Sequence, residues 1–248
     1  MATVDLNCDL GEGGADDERL MPLISSANIA CGIHAGDALT IRAAIELAQR
    51  HGVAVGAHPS LDDRENFGRR EMPVSPEEVR LLVLTQVRLF QKIAELSGVR
   101  VRHVKPHGAL YNMAARDGRL ATAVVRAVRE VDPGLILFGL AGGRLVEVGR
   151  AAGLTVAREA FADRTYQADG SLTARAQAGA LIHDAEVAVA QVRRMVREGV
   201  VTATDGTVLP IQADTICLHG DGPDPVEFAR RLHRGLRAAG IEIKTFGP

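Results

Sequence analysis

The segment VRHVKPHGALYN, Val101 to Asn112, changes character halfway along. Val101 to Val104 reads as a β-strand. Lys105, Pro106 and His107 then gather ionisable groups at its carboxyl end, before a helix-spaced stretch begins. A single Lys-Pro-His is compatible with a solvated turn, so its meaning depends on whether other strands end in the same way.

Seven further runs read as strands: TVDLN, ANIACG, VAVGA, LILFGL, LTVAREA, TICL and IEIKTF. Each is separated from the next by a longer segment with helical spacing, the pattern of parallel strands joined by crossover helices. The expectation is a distorted (β/α) barrel of seven or eight mostly parallel strands, forming one domain over residues 1–248. SPEEVRLLVLTQVRLFQKIAELSG shows the helical grammar: Ser75 caps, Pro76 fits the first turn, Glu78 completes a capping box and Gly98 stops the helix. Asp224, Pro225, Glu227 and Gly240 repeat the device near the end of the chain. GALIHDAEVAVAQV reads as an apolar-rich helix that includes His183. DDRENFGRREM reads as a long polar loop, and VVTATDGTVLPI as a hairpin turning at Asp205-Gly206.

Side chains two apart on a strand share a face, so polar residues at this spacing project together from its end. The first strand leads to Asn7, Asp9 and Glu12, and the second to Asn28, His34 and Asp37. The third runs out into His58 and Ser60, the fourth into Lys105 and His107. The sixth leads into Asp163 and Arg164, and the seventh ends in His219 and Asp221. In parallel α/β folds ligands bind at this carboxyl edge, and the repetition is the functional signal. His51, His103, His183 and His233 lie elsewhere in the pattern and read as structural.

Asp and His at separate strand ends are the materials of a site where a divalent ion activates water, with Asp9, His34 and His58 as candidate ligands. No HxxxH or HExxH fixes a geometry, and an acid–base cluster without metal fits the same residues. No GxxxxGK[ST] loop is present. Gly142 and Gly143, between a strand and a helix, are candidates for close approach of backbone amides to a nucleotide phosphate, and tight turns need glycine equally. Arg69 and Arg70 offer guanidinium groups for a carboxylate or phosphate.

The bulk properties narrow the partners. Of 248 residues, 46% are hydrophobic and 24% charged, which is the balance of a globular chain with a sizeable core. Twenty-nine basic and 31 acidic residues leave a net charge of -2, so nothing favours nucleic acid or an anionic membrane. No run approaches the roughly 18 apolar residues of a membrane span, and the first residues lack a signal-peptide pattern. Cys8, Cys31 and Cys217 are far apart and set in apolar stretches, as expected of buried thiols in a cytoplasmic protein.

Together DLNCDLGE, SANIACGIHAGD, VGAHPS, FGRR, VKPHGALYN, EAFADRTYQADGSL and ICLHGDGP resemble the LamB/YcsF family over nearly the whole chain. One departure is GGADDERLMP after the first GE, where the family usually carries an aromatic-containing stretch. The resemblance implies a glycoside hydrolase/deacetylase-like barrel. It also implies the ATP-dependent opening of 5-oxo-L-proline to L-glutamate, with ATP as co-substrate and separate B and C subunits; a divalent ion, magnesium with the ATP or one bound by the protein, is compatible with it. A homo-oligomer is compatible with it. On this reading Asp9, Lys105, His107, His219 and Asp221 are catalytic, while Asn7, Asn28, His34, His58, Arg69 and Arg164 bind substrate. The same strand-end residues would also serve a metal-dependent deacetylase or amidohydrolase needing no ATP, or a protein that only binds substrate for catalytic partners.

Overall fold

The computed structural model describes residues 2–219 and 223–247, so Asp221 lies outside the described residues. In chain order the elements are β1 (Ala2–Leu10), α1 (Asp17–Leu20), β2 (Ser26–Ala30), α2 (Ala38–His51), β3 (Ala54–His58), α3 (Pro76–Leu96), β4 (Val101–Val104), α4 (Gly108–Arg116) and α5 (Gly118–Val131). There follow β5 (Ile136–Leu140), α6 (Arg144–Ala151), β6 (Val156–Phe161), α7 (Ala185–Glu198), β7 (Val200–Thr202), β8 (Val208–Pro210), β9 (Thr215–Leu218), α8 (Pro225–Ala238) and β10 (Ile241–Ile243).

Every strand run expected from the sequence is a strand, and β7 and β8 form the expected antiparallel hairpin. Strands β1 to β6 pair in order and in parallel, β6 pairs with β9, and β9 returns to β1. Seven strands therefore close the barrel. The eighth run, β10, pairs with Ala2–Val4 only. Lys244 N–H donates to Val4 O and Ser25 N–H to Leu6 O, so β10 precedes β2 along the same edge of β1 and extends the barrel's base.

Two apolar layers differ in kind. The large outer core lies between strands and helices, and the α3 residues Val79, Val83, Val87, Phe90 and Ala94 are part of it. Burial of a Phe or Leu side chain there is worth about 2–3 kcal/mol. Helix α3 starts where the sequence says: Ser75 Oγ accepts from Glu78 N–H, and the Glu78 carboxylate from Ser75 N–H. Two small apolar clusters stand apart from this core among the described residues, Ile136, Phe138 and Ala157 of β5 and β6 in one, and Leu140, Phe161 and Cys217 with Tyr111 of α4 in the other.

The remaining interior is polar. Asp5, Asn7, Ser26, Asn28, His103, Glu159 and Thr215 are all buried. Gly56 makes room for this filling, because a Cβ there would stand 2.0 Å from His103 Nε2.

One local expectation changes. Helix α7 begins at Ala185, with the Asp184 carboxylate capping Glu186 N–H, so His183 lies before the helix rather than in it. The reason is that Ile182 N–H is already bound to Asp163 O, which ties the preceding segment to the strand-end loop. The polar loop after β3 is pinned down. Arg64 donates to the carbonyls of Gly32 and Gly36, and buried Asp63 accepts from the Asn66 side chain and Arg70 N–H. Among the described residues no helix is long and apolar enough to cross a membrane.

Candidate active site

The strand ends converge as their alternation requires. Lys105, one residue beyond β4, turns its ammonium into the barrel, 2.8 Å from Asp9 Oδ1 on β1 and 3.0 Å from Glu159 Oε1 on β6. The same nitrogen lies 3.1 Å from Cys217 Sγ and 3.3 Å from Asn7 Oδ1. A buried ammonium is tolerated only with such partners. Burial alone would lower its pKa, but Asp9, Cys217 and Glu159 hold it well above the ordinary lysine value. Asp9 is the counterpart: burial would raise its pKa, but His58 and Lys105 hold the carboxyl well below the usual range. Lys105 is thus a fixed cation and Asp9 a fixed anion.

Asn7 and Asn28, expected to touch substrate, lie beneath this pair with no exposed surface. Asn28 Nδ2 donates to both Asn7 Oδ1 and Asp9 Oδ1, and Asn7 Nδ2 donates to Thr215 Oγ1. His103 Nε2 meets Asn28 Oδ1 at 2.8 Å, which must be an N–H donating to a carbonyl. Its ring stacks on Phe138 with centroids 4.2 Å apart. Burial, reinforced by Lys105, pushes the His103 pKa down to about 3. These groups are a polar foundation that fixes the orientation of Asp9 and Lys105.

Three imidazoles stand beside Asp9. His58 Nδ1 lies 2.7 Å from Lys105 O and His107 Nε2 lies 2.8 Å from Phe67 O. A carbonyl can only accept, so those two nitrogens carry the protons. The other nitrogens, His58 Nε2 and His107 Nδ1, face each other at 3.0 Å with their lone pairs. Asp9 Oδ2 is 3.2 Å from His58 Nε2, and Glu12 Oε1 is 3.6 Å from His107 Nδ1. Lone pairs crowded in this way require a shared proton or a cation.

Asp9, Glu12, His58 and His107 present one donor each, all within 4.8 Å of one another. Nitrogen and carboxylate donors whose other ring N–H groups are held by carbonyls fit a divalent transition ion. Among the expected ligands, His34 is replaced in this set by His107. It stacks on His107 instead, centroids 3.9 Å apart, with Nε2 3.1 Å from Glu12 Oε1. Burial lowers the pKa of both His34 and His107.

Across the mouth, the Asp163 carboxylate accepts from His219 N–H and from His219 Nδ1 at 2.8–3.0 Å. Burial would raise its pKa, but His219 holds it below the ordinary value. His219 lines three adjoining cavities. One of 110 Å³ contains Asp9, His58, Arg69, Lys105, His107 and Arg164. A second of 230 Å³ runs past Glu12 to Asp17, and a third of 390 Å³ reaches His183, Asp184 and Phe228.

Arg69 lies over the Phe67 ring at 4.9 Å and borders the first two cavities, whereas Arg70 turns away to Asp63. Gly142 and Gly143 are not part of this assembly. They line a separate groove with Arg150 and Arg158, and Gly143 precedes a helix of only eight residues. Glycine serves local packing at Gly143, since a Cβ there would meet Leu140 O and Ala115 at 3.1–3.3 Å.

Glu159 is the main residue that strand-end reasoning misses. It sits mid-strand, and its signal is the charged pair Arg158-Glu159 interrupting an otherwise apolar strand.

Comparison with known proteins agrees with this architecture. The family model described as "LamB/YcsF family" matches residues 4–248. The 5-oxoprolinase A subunit of Tolumonas auensis is 53% identical over 250 residues, spanning 99% of this chain and 100% of that one. The crystal structure of the "Lactam Utilization Protein" from Thermus thermophilus superposes with a TM-score of 0.92 at 45% identity, covering 98% of this chain and 100% of that one. A family 4 carbohydrate esterase from Streptomyces lividans shares the fold at a TM-score of 0.55 and 11% identity, covering 100% of this chain and 94% of that one.

Proposed function

The chain belongs to the LamB/YcsF family, and on that premise we propose that it is the A subunit of an ATP-dependent 5-oxoprolinase. With its B and C partners it would open 5-oxo-L-proline to L-glutamate. The observation that carries this reading is the convergence of Lys105, Asp9, His58, His107 and His219 on one small chamber.

A lactam is a poor electrophile, and phosphorylation of its oxygen by ATP makes it a good one, forming the C–O–P bond as ADP leaves. Lys105 offsets negative charge on the phosphorylated oxygen. His219 is held through Nδ1 by Asp163, which leaves Nε2 to take a proton from water. One water adds to the activated carbon, the ring C–N bond breaks, and the nitrogen takes a proton. A second water then releases phosphate with the former lactam oxygen. Asp9 keeps His58 and Lys105 in place through its two oxygens. A divalent ion held by Asp9, Glu12, His58 and His107 would supply Lewis-acid polarisation of the carbonyl. Asn7, Asn28 and His34 act from behind, as positioning residues. A nucleotide exceeds a 110 Å³ chamber, so its terminal phosphoryl group reaches in from an adjoining cavity or from a partner protein.

The test is glutamate release from 5-oxoproline by the assembled enzyme, with oxygen-18 in the lactam carbonyl. ATP-dependent release with the label in inorganic phosphate is expected. ATP-independent turnover abolished by a chelator would mark a metal-dependent amidohydrolase instead.

A further inference from the structure

The chamber is lined by two groups of different chemistry. In the first, the Lys105 charge is matched by Asp9 and Glu159. The second group is Arg164, Leu172 and Arg175, all from the irregular excursion of residues 162–184 between β6 and α7.

That excursion is tightly built. Arg164 bridges to Leu181 and Tyr166 to Leu172, and the Tyr166 hydroxyl accepts from Phe161 N–H at 2.8 Å. Gln191 on α7 donates to the carbonyls of Phe161 and Arg164. Buried Thr173 accepts at its carbonyl from Arg164 Nη2 at 2.6 Å, and at its hydroxyl from Gln167 Nε2 at 2.7 Å.

Arg164 is therefore held in place, only 7% exposed, yet its buried Nε–H has no partner among the described residues. Desolvation, reinforced by the charge of Arg175, depresses its pKa. The neighbouring carboxylate, Asp163, is committed to His219. A desolvated guanidinium with a donor to spare calls for an anionic acceptor, and carboxylate is the planar group that suits it.

We propose that Arg164 and Arg175 form a carboxylate reader, which binds the ring carboxylate of the substrate and directs the lactam carbonyl toward Lys105. The inference rests on the lactam-opening reading and adds its selectivity: the site takes anionic lactams and rejects neutral ones. A site built around a buried charge discriminates strongly, because a ligand lacking the counter-group leaves that charge unpaired.

The test compares 5-oxo-L-proline with 2-pyrrolidinone, the same ring without the carboxylate, using the assembled enzyme with ATP. The wild type should prefer 5-oxoproline in kcat/KM by about 10³-fold or more. Arg164→Gln and Arg175→Gln should each cut that preference at least tenfold, mainly by raising KM for 5-oxoproline while kcat at saturation changes little. Arg164→Lys should recover part of it, which a purely structural role would not produce. Should Arg164→Gln fail to fold, as thermal melting would report, Arg175→Gln carries the same expectation alone. Folded variants that keep the wild-type preference overturn the carboxylate reader and leave the lactam reading standing. Assembled wild-type enzyme that does not open 5-oxoproline overturns both.

Discussion

The barrel of this protein has an outside and an inside that follow different rules. Between strands and helices, residues such as Val83, Val87, Phe90 and Ala94 form an apolar layer whose only task is cohesion. Within the strands the usual branched aliphatic filling of a (β/α) barrel gives way to Asp5, Asn7, Asn28, His103, Lys105 and Glu159. The contrast teaches that the outer layer supplies the stability against which a polar interior can be held. A buried polar network adds little net stability, but it fixes the directions of the groups at the mouth.

The contrast is sharpest for matched substitutions on the two sides. Lys105→Met should lower kcat per folded molecule on 5-oxoproline by about 10³-fold, the scale seen when a preorganised charge stabiliser is removed, beside a loss of stability from leaving Asp9 and Glu159 unpaired. Steady-state kinetics beside thermal melting would check it, and an active Lys105→Met enzyme would break the division. Phe90→Ala should do the reverse. It should cost about 3–5 kcal/mol of stability by denaturant unfolding, with kcat per folded molecule unchanged.

Acid should attack the inside first. His103 is neutral in the fold, with its pKa pushed down to about 3, whereas an unfolded histidine titrates near 6.5. The unfolded state therefore binds the extra proton in this window. Stability is full above about pH 6.5 and is lost as the pH falls toward 3, by roughly 2 kcal/mol between pH 7 and pH 5. Buried His34 and His107, whose pKa values are also lowered, work in the same direction. Melting temperatures across this range should fall with pH, and a flat profile would show that these rings are not held neutral. The smallest effect belongs to the periphery. Ser75→Ala removes the cap of α3 and should cost about 1 kcal/mol in a melting experiment, with no change in kinetics.

The fold was legible because strand alternation and helix caps are local signals, and Ser75, Asp224 and the turn at Gly206 act as their residue types dictate. Strand ends brought Asp9, His58, Lys105, His107 and His219 to one chamber for the same reason. Counting strands could not say which edges pair, so β10 read as an eighth stave when it only extends the base. Nor could spacing distinguish a residue at the mouth from one a layer deeper, as with Asn7 and Asn28 against Asp9. Glu159 and Arg175 needed coordinates, one being mid-strand and the other in an excursion without periodicity. Gly142 and Gly143 looked like a phosphate turn because packing and anion binding ask for the same residue.

The central claim is that Asp9 and Lys105, far apart in sequence and 2.8 Å apart in space, act as one catalytic unit. The direct measurement is a double-mutant cycle on kcat for 5-oxoproline with Asp9→Asn, Lys105→Met and their combination. Groups acting as a unit are not additive, so the double variant should be slowed about as much as the slower single variant, by roughly 10³-fold. Slowing by the product of the two single effects would place them in independent roles and contradict the account.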